Sequence, residues 1–354
     1  MPNADAFDPV MAVLRSAWGI EPATRHGDRL TSGFSGARLV MITGADGRRF
    51  VLKEWPAGTD RHRIAWVHAL AQHLHDAGID AIHPAVPTRS GDTVAADSTG
   101  ASWELLPFVS GCCRASPTPS QAASAGQMLA HIHLAAASLP GSLPGLDVPA
   151  AVIRRTAGAA RLVKHPWRLP SSTTRPEWVC GDILNAMAGA IASFAALGGE
   201  QAMRRVVASS RKAVPVQPVL RDIWYEHLLF ESASSPQVSG VIDLHAAGID
   251  TPATDLARLL GSWHEDSADT MPARWRDAIA AYESIRPLVE HERGLIPWLH
   301  ASGVVLALDN WFRWIFDEER VFSSPNEVVA RVHRLHTALP SCLRILSNPS
   351  EWLV

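Results

Sequence analysis

The sequence predicts an α+β protein with two lobes, a small β-rich amino-terminal lobe (residues 1–110) and a larger, mainly helical carboxyl-terminal lobe (residues 111–354). A chain of 354 residues, 47% of them hydrophobic, is long enough to form two compact domains with large buried cores. Short β-prone runs separated by turn residues dominate the first part of the chain. After Gly111 the composition shifts towards Ala and Leu in long segments with helical periodicity.

The charge balance excludes some classes of partner. The chain has 32 basic and 35 acidic side chains, a formal net charge of -3, so it has no overall attraction for nucleic acid or for an anionic membrane. Its first residues lack a basic segment followed by an apolar run, and its longest apolar stretches contain polar breaks. We therefore expect a cytoplasmic protein that binds neither nucleic acid nor a membrane, and the sequence predicts no particular oligomeric state.

Local signals define the elements of the first lobe. Two β-prone runs within residues 37–53 flank the pair Asp46-Gly47, which predicts a hairpin. Apolar residues spaced by three and four over residues 61–77 predict a helix. Residues 103–108 are β-prone and follow turns that contain Pro84, Pro87 and Gly91, so we expect an edge strand that leads into a connector.

The second lobe should begin with a helix over residues 120–137, with Ser120 as its cap. The following segment, residues 138–177, is rich in Pro, Gly, Ser and Thr and receives no assignment. The remaining pattern predicts helices over 181–213, two strands within 216–244, and three or more helices within 255–346.

Two aspartates in the second lobe have the spacing of a phosphoryl-transfer site. Two short β runs flank a polar loop that begins near Asp222, and the second run ends at Asp243. In such sites a loop aspartate accepts the substrate hydroxyl proton, a metal ligand follows five positions later, and a second aspartate after a hairpin binds magnesium. Asp222, His227 and Asp243 occupy these three places. Capping of the loop is the alternative role for the two aspartates.

The first lobe contains residues that could hold a nucleotide. The small residues Gly33, Ser35 and Gly36 lie between two β runs, where backbone N–H groups can approach phosphates. Lys53 follows late on the next strand, in the order found in a kinase small lobe. A solvated surface charge is the alternative role for this lysine.

With these motifs the chain resembles the aminoglycoside phosphotransferase and choline kinase-like family, from about residue 29 to residue 263. The resemblance implies a protein-kinase-like fold and an ATP-dependent phosphotransferase that uses Mg²⁺. The acceptor would be a hydroxyl group of a small molecule, such as an aminoglycoside, an amino alcohol or a sugar-like compound. Residues 103–111 match the hinge between the lobes.

The resemblance also implies roles for individual residues. Asp222 would be the catalytic base, Asp243 the principal magnesium ligand, and Asp255 a structural acid that supports the catalytic loop. The remaining positions would contact the nucleotide, with Lys53 as phosphate anchor: Gly33, Ser35, Gly36, Lys53, Glu104 and Leu106.

Two departures from the family pattern affect this interpretation. His227 stands where the family has Asn, and imidazole is a poorer magnesium ligand than an amide or carboxylate oxygen. Residues 61–74 contain no acid that could pair with Lys53, although the family has a Glu in this helix. The alternative function is therefore a catalytically weak or inactive kinase-like protein that binds a nucleotide or a partner.

Aromatic and acidic residues within 309–319 could bind a cationic amine or pack in the core.

Overall fold

A five-stranded antiparallel sheet forms the first lobe in the computed structural model, which describes residues 9–26, 38–142, 144–171, 176–209, 212–264, 272–322 and 324–348. The strands are β1 (Pro22–His26), β2 (Leu39–Gly44), β3 (Arg49–Glu54), β4 (Ala95–Ala96) and β5 (Ser102–Pro107). Their spatial order is β1-β2-β3-β5-β4.

The structure confirms the predicted hairpin and corrects the predicted edge strand. Gly47 adopts a φ of 79° in the turn between β2 and β3, a conformation that glycine adopts without strain. β5 is not an edge strand, because the two-residue strand β4 pairs with its outer side. So short a strand has no periodicity that a sequence pattern could reveal.

The two faces of this sheet have different environments. One face packs against the helical turn Pro9–Val13 (α1), which continues as a π-helical turn to Trp18. The buried residues of this core include Val10, Leu14, Val40, Ile42, Leu52, Trp103 and Leu105. The opposite face contains Lys53 directly across from Glu104, and Val51 directly across from Leu106. The residues predicted to bind the nucleotide in β3 and β5 therefore share one face of the sheet.

Helix α2 (Arg61–Asp76) connects the two lobes and confirms the predicted helix. Asp60 caps it, since a side-chain oxygen of Asp60 accepts a hydrogen bond of 2.9 Å from the backbone N–H of His62. Leu70 and Leu74, in its last turns, belong to the same hydrophobic core as the helices of the second lobe. The helix is therefore fixed to the larger lobe while it also contacts the first sheet.

The second lobe is mainly helical, as predicted. Its helices are α3 (Pro119–Ala136), α4 (Ala150–Lys164), α5 (Gly181–Ala196), α6 (Gly199–Ala208), α7 (Ala253–Leu260), α8 (Ala273–Glu283), α9 (Glu290–Phe312) and α10 (Pro325–Ser347). Its strands are β6 (Cys112–Cys113), β7 (Gly145–Asp147), β8 (Val214–Val219), β9 (Leu228–Phe230), β10 (Val238–Val241) and β11 (Gly248–Asp250). They form two three-stranded sheets, in the orders β10-β9-β6 and β11-β8-β7. The predicted lobe boundary between residues 110 and 111 falls between β5 and β6.

Helix α3 is capped by a different residue from the one predicted. Thr118 caps the helix instead of Ser120: its hydroxyl accepts from Gln121 N at 3.3 Å, and the Gln121 side chain accepts from Thr118 N at 3.0 Å. Pro119 explains the choice, because proline is favoured at the first helical position, directly after the cap. The unassigned segment 138–177 contains β7 and α4.

The buried residues of the aromatic and acidic segment 309–319 pack in the core, whereas its acids at positions 317–319 are exposed. Trp311, Phe312 and Ile315 are buried. Asp309 accepts hydrogen bonds from Arg161 and, at 3.1 Å, from the indole N–H of Trp167. These groups therefore form part of the helical core, and they do not present a surface to a cationic amine.

In the described ranges no single helix is long and apolar enough to cross a membrane. Only the pair α5 and α6 meets the length and composition criteria together, and its two helices are bent by 69° relative to each other.

Candidate active site

The loop that contains Asp222 is held at its start by a buried carboxylate. Asp255, in the first turn of α7, is fully buried and accepts hydrogen bonds from the backbone N–H groups of Leu220 at 2.7 Å and Arg221 at 2.6 Å. Arg221 has a φ of 65°, so the chain makes a tight left-handed turn directly before Asp222. The structure thus confirms the expectation that Asp255 supports this loop.

The anchor of the loop extends into the helical core. The Nε2 atom of His133 in α3 lies 3.0 Å from Asp255 Oδ2, and its Nδ1 atom lies 2.9 Å from the hydroxyl group of Tyr282 in α8. Burial lowers the pKa of His133, although the hydrogen bond to Asp255 opposes this shift. A neutral imidazole, a carboxylate and a phenol therefore form one buried network beneath the catalytic loop.

Asp222 is oriented by an arginine that the sequence analysis did not identify. The Nε and Nη2 atoms of Arg258 in α7 both lie 2.8 Å from Asp222 Oδ1. The Asp222 side chain is 37% exposed, and its Oδ2 atom has no hydrogen-bond partner among the described residues. One carboxylate oxygen is therefore held in place, and the other can accept a proton or a hydrogen bond from a ligand.

Asp243 follows β10 and joins the two lobes. Its φ of 63° turns the backbone sharply, and its Oδ1 atom accepts hydrogen bonds from Lys53 of β3 and, at 2.6 Å, from His245 Nδ1. Burial alone would raise the pKa of Asp243, but the hydrogen bond from His245 and the charge of Lys53 hold it well below its usual range. The side chain is therefore a carboxylate at neutral pH.

His227 lies between the two aspartates. Its Nδ1 atom is 2.8 Å from the backbone carbonyl of Asp222, and its Nε2 atom is 3.8 Å from Asp243 Oδ2. The indole N–H of Trp224 donates to the same Nε2 atom at 2.7 Å, so Nδ1 carries the proton and the lone pair on Nε2 is occupied. Burial lowers the pKa of His227, with Asp243 opposing the shift, which is consistent with a neutral ring.

Asp243 and His227 differ in how well they fit a magnesium ion. Mg²⁺ prefers oxygen ligands, and one carboxylate together with phosphates and waters is a usual ligand set, so Asp243 fits this ion. His227 would have to lose its hydrogen bond from Trp224 before it could bind a metal, so its predicted role as a ligand stays a prediction. Within the described residues no group of three or more His, Cys, Asp or Glu side chains is arranged to hold a metal ion.

Lys53 has an acidic neighbour on the adjacent strand instead of on the helix. Glu104 in β5 lies directly opposite Lys53, and both side chains are buried. The Nε2 atom of His68 in α2 lies 2.6 Å from Glu104 Oε2, and its Nδ1 atom lies 2.6 Å from the Thr93 hydroxyl. The helix thus contributes a histidine that holds Glu104, where the family has an acid. Glu104 is a buried acid hydrogen-bonded to His68, and its predicted contact with the nucleotide stays a prediction.

The structure brings together some of the predicted site residues. Lys53 and Asp243 are in direct contact, and His227 connects Asp243 to the Asp222 loop. Leu106 is half-buried on the same face of the sheet as Lys53. The predicted phosphate-binding residues Gly33, Ser35 and Gly36 lie outside the described residues.

Three further residues of the site were not identified from the sequence: His68, His245 and Arg258. Two of them had a usable signal. Arg258 lies three residues after Asp255 and therefore on the same face of α7. His68 lies four residues after the buried Ile64, on the buried face of α2. No spacing rule identifies His245, because its ring reaches Asp243 only through the local loop conformation.

Solved structures identify the class of this fold. Spectinomycin phosphotransferase APH(9)-Ia, in complex with ADP and spectinomycin, aligns with a TM-score of 0.66 and 13% identity over 94% of this chain and 98% of its own. A microcompartment-associated aminopropanol kinase aligns with a TM-score of 0.62 and 18% identity over 98% of this chain and 100% of its own. The chain has the two-lobed protein-kinase-like α+β fold that its sequence predicted.

The sequence itself identifies the family. A family model described as the phosphotransferase enzyme family matches residues 26–288, and the chain belongs to this family. The homoserine kinase of Ralstonia nicotianae is 25% identical over 272 residues, which cover 74% of this chain and 73% of the relative. The homoserine kinase of Gluconacetobacter diazotrophicus is 24% identical over 323 residues, which cover 88% of each protein. The chain is a small-molecule kinase with an alcohol group as acceptor, which confirms the predicted enzyme class.

Proposed function

We propose that the chain transfers the γ-phosphoryl group of ATP to the hydroxyl group of a small amino alcohol in the cytoplasm. The contact between Lys53 of the first lobe and Asp243 of the second, beside the Asp222 loop, is the observation that carries this proposal. Of the acceptor classes that the sequence implies, we favour an amino alcohol over an aminoglycoside or a sugar. Relatives are named homoserine kinase and a structural neighbour is named aminopropanol kinase. Homoserine and aminopropanol are both amino alcohols.

In this mechanism the two aspartates have separate tasks. Asp222 orients the acceptor hydroxyl through its unpaired Oδ2 atom and accepts the proton, while Arg258 keeps the carboxylate in position. Asp243 would hold Mg²⁺, and the ion would supply positive charge to neutralise the phosphates. Lys53 is close enough to Asp243 to contact the same phosphates. Catalysis then depends mainly on positioning and on charge neutralisation.

Glu104 gives Lys53 a second anionic partner. Directly opposite residues on antiparallel strands have Cβ atoms about 4.5–5.5 Å apart, so the Lys53 ammonium group can reach either Glu104 or Asp243. We propose that Glu104, held by His68, takes the role of the missing helix acid when Asp243 binds the metal. The absence of an acid in residues 61–74 then does not imply an inactive protein.

The alternative, a kinase-like protein that binds without transfer, is not favoured. The residues that we propose as base, metal ligand and phosphate anchor are all present (Asp222, Asp243 and Lys53), and their contacts support the proposal. His227 also leaves this geometry in place, because it bonds to the backbone of Asp222 and accepts the Trp224 indole N–H.

A coupled assay of ADP release with amino alcohols, aminoglycosides and sugars tests the proposal. We expect transfer to an amino alcohol, and loss of about two to four powers of ten in kcat for Asp222→Asn with ATP binding retained. Lys53→Met should raise the KM for ATP, whereas the exposed control Lys164→Met should not. Transfer at the wild-type rate by Asp222→Asn would remove this residue from the mechanism.

A further inference from the structure

Two arginines lie near the ring of Trp224 beside the proposed acceptor site, and a third arginine follows one turn later in α10. The guanidinium carbon of Arg331 lies 5.1 Å from the centre of the Trp224 ring, and that of Arg258 lies 5.6 Å from it. Arg334 lies one turn after Arg331 in α10, on the same side of the helix, and its charge acts on Arg331 and on Tyr225. Residues from α7 and α10 thus form one group beside the catalytic loop, which we call the arginine cluster (Arg258, Arg331 and Arg334).

Two of the three arginines of this cluster have no ion-pair partner in the described part of the chain. Arg258 pairs with Asp222, but Arg331 and Arg334 form no ion pair with any carboxylate in the described part of the chain. Glu226 is the nearest acid that acts on Arg331, and its Oε1 atom accepts a hydrogen bond of 2.9 Å from the Tyr225 hydroxyl. Burial, followed by the charges of Arg258 and Arg334, lowers the pKa of Arg331. A half-buried cation among other cations gains stability when an anion binds to it.

A further arginine, Arg155 in α4, interacts electrostatically with Arg258. Its Nε atom is buried and has no hydrogen-bond partner among the described residues. Burial, together with the charges of Arg154 and Arg258, lowers its pKa to about 10. Arg258, the arginine that contacts Asp222, is therefore influenced by the charges of two further arginines, Arg155 and Arg331.

We propose that the arginine cluster binds a carboxylate group of the acceptor, so that the substrate is a small hydroxy acid of the hydroxy amino acid class. This inference rests on the proposed function and specifies its substrate. Trp224 lies two residues after Asp222, and Arg258 contacts both side chains, so an acceptor whose hydroxyl group meets Asp222 has its other end near Arg331. Guanidinium groups bind carboxylates through paired, charge-assisted hydrogen bonds. The same cluster would repel a polycationic aminoglycoside.

Pairs of acceptors that differ only in the carboxylate test this inference. We would compare L-homoserine with 3-aminopropan-1-ol, L-serine with ethanolamine, and L-threonine with 1-aminopropan-2-ol, by ADP release and by calorimetric binding. The wild-type protein should prefer the carboxylate member of at least one pair by about tenfold or more, since a hydrogen bond to a charged group is worth about 1.5–3 kcal/mol. Equal KM and Kd values within all three pairs would overturn the inference.

Variants then locate the subsite. Arg331→Met keeps an unbranched apolar chain against Trp224 but removes the charge, and it should raise the KM and Kd of the preferred acid about 10- to 100-fold. The KM for ATP and the KM for the matched amine should not change. Arg334→Met, at an exposed position, should give a smaller change in the same direction. Arg204→Met in α6, where the arginine pairs only with Glu200 on the surface, is the control.

The outcomes separate the inference from the proposed function. Carboxylate-selective binding that depends on Arg331, without transfer to any acceptor, would support the subsite and overturn the proposed function. Transfer to amines and acids with equal KM values would support the proposed function and overturn the subsite. If Arg331→Met is unfolded in a thermal scan, an unchanged preference for the acid in Arg334→Met overturns the inference.

Discussion

Asp255→Asn should weaken both the fold and catalysis, because one fully buried carboxylate accepts three hydrogen bonds. The donors are the N–H groups of Leu220 and Arg221 and the Nε2 atom of His133, at 2.6 to 3.0 Å. An asparagine retains only one oxygen, so its amide group would face at least one buried donor. Each hydrogen bond to a charged group contributes about 1.5–3 kcal/mol, and an unpaired buried donor adds a further cost. We expect a loss of about 2–5 kcal/mol in the free energy of unfolding.

Chemical denaturation followed by tryptophan fluorescence measures this loss, and the coupled assay measures kcat on the folded fraction. The value of kcat should fall at least about tenfold, because the turn that positions Asp222 loses its anchor. Asp182→Asn, at an exposed site in the first turn of α5, should change stability by less than about 1 kcal/mol. If Asp255→Asn unfolds within 1 kcal/mol of the wild type, the carboxylate does not anchor the loop.

Three further predictions concern packing, pH and the metal site. Gly126→Ala should lower the free energy of unfolding by about 1–3 kcal/mol, because the added Cβ atom would clash with a backbone carbonyl oxygen of α8. In the same denaturation assay the control Gly294→Ala should be neutral or stabilising, since its Cβ atom would lie in open space. Burial lowers the pKa of His300 to about 4, below its unfolded value of about 6.5, so stability present above pH 6.5 is lost as the pH falls towards 4. In the wild type this change should remove about 3 kcal/mol of the free energy of unfolding. His300→Gln should flatten this part of the pH profile, and an unchanged slope would show that His300 does not cause it. His227→Phe should lower kcat on the order of tenfold. The Mg²⁺ concentration for half-maximal rate should stay within about twofold of the wild type, since the Trp224 indole occupies the lone pair on His227 Nε2. A larger shift in that concentration would indicate that His227 is a metal ligand.

Features that depend on neighbouring residues were predictable from the sequence. The Asp46-Gly47 turn and helix α2 follow from local conformational preferences and apolar spacing, so they form as expected. The cap of α3 was predicted at Ser120, although Pro119 is a local signal for Thr118. The family motifs also brought Lys53 and Asp243 to one site, because the order of elements in a kinase-like chain determines which strands meet.

Features that depend on distant contacts were not predictable in the same way. Glu104 was assigned to the hinge, because a strand sequence does not show which buried histidine from another element will meet its carboxylate. Arg258 and Arg331 lie 36 or more residues after Asp222 in the chain, and only packing brings them to the loop. The identity of a charged residue was visible in each case, but its partner depended on the tertiary structure.

The network beneath the catalytic loop allows only one arrangement of its protons. The two backbone N–H groups of the loop and His133 all donate to Asp255, so the remaining ring nitrogen must accept, and the Tyr282 hydroxyl must donate to it. Donation therefore runs in one direction, from α8 through α3 to α7. A substitution that reverses donor and acceptor at one member is compatible only with a matching reversal at the next. Positions 133, 255 and 282 are consequently expected to vary together among related sequences, although they lie far apart in the chain.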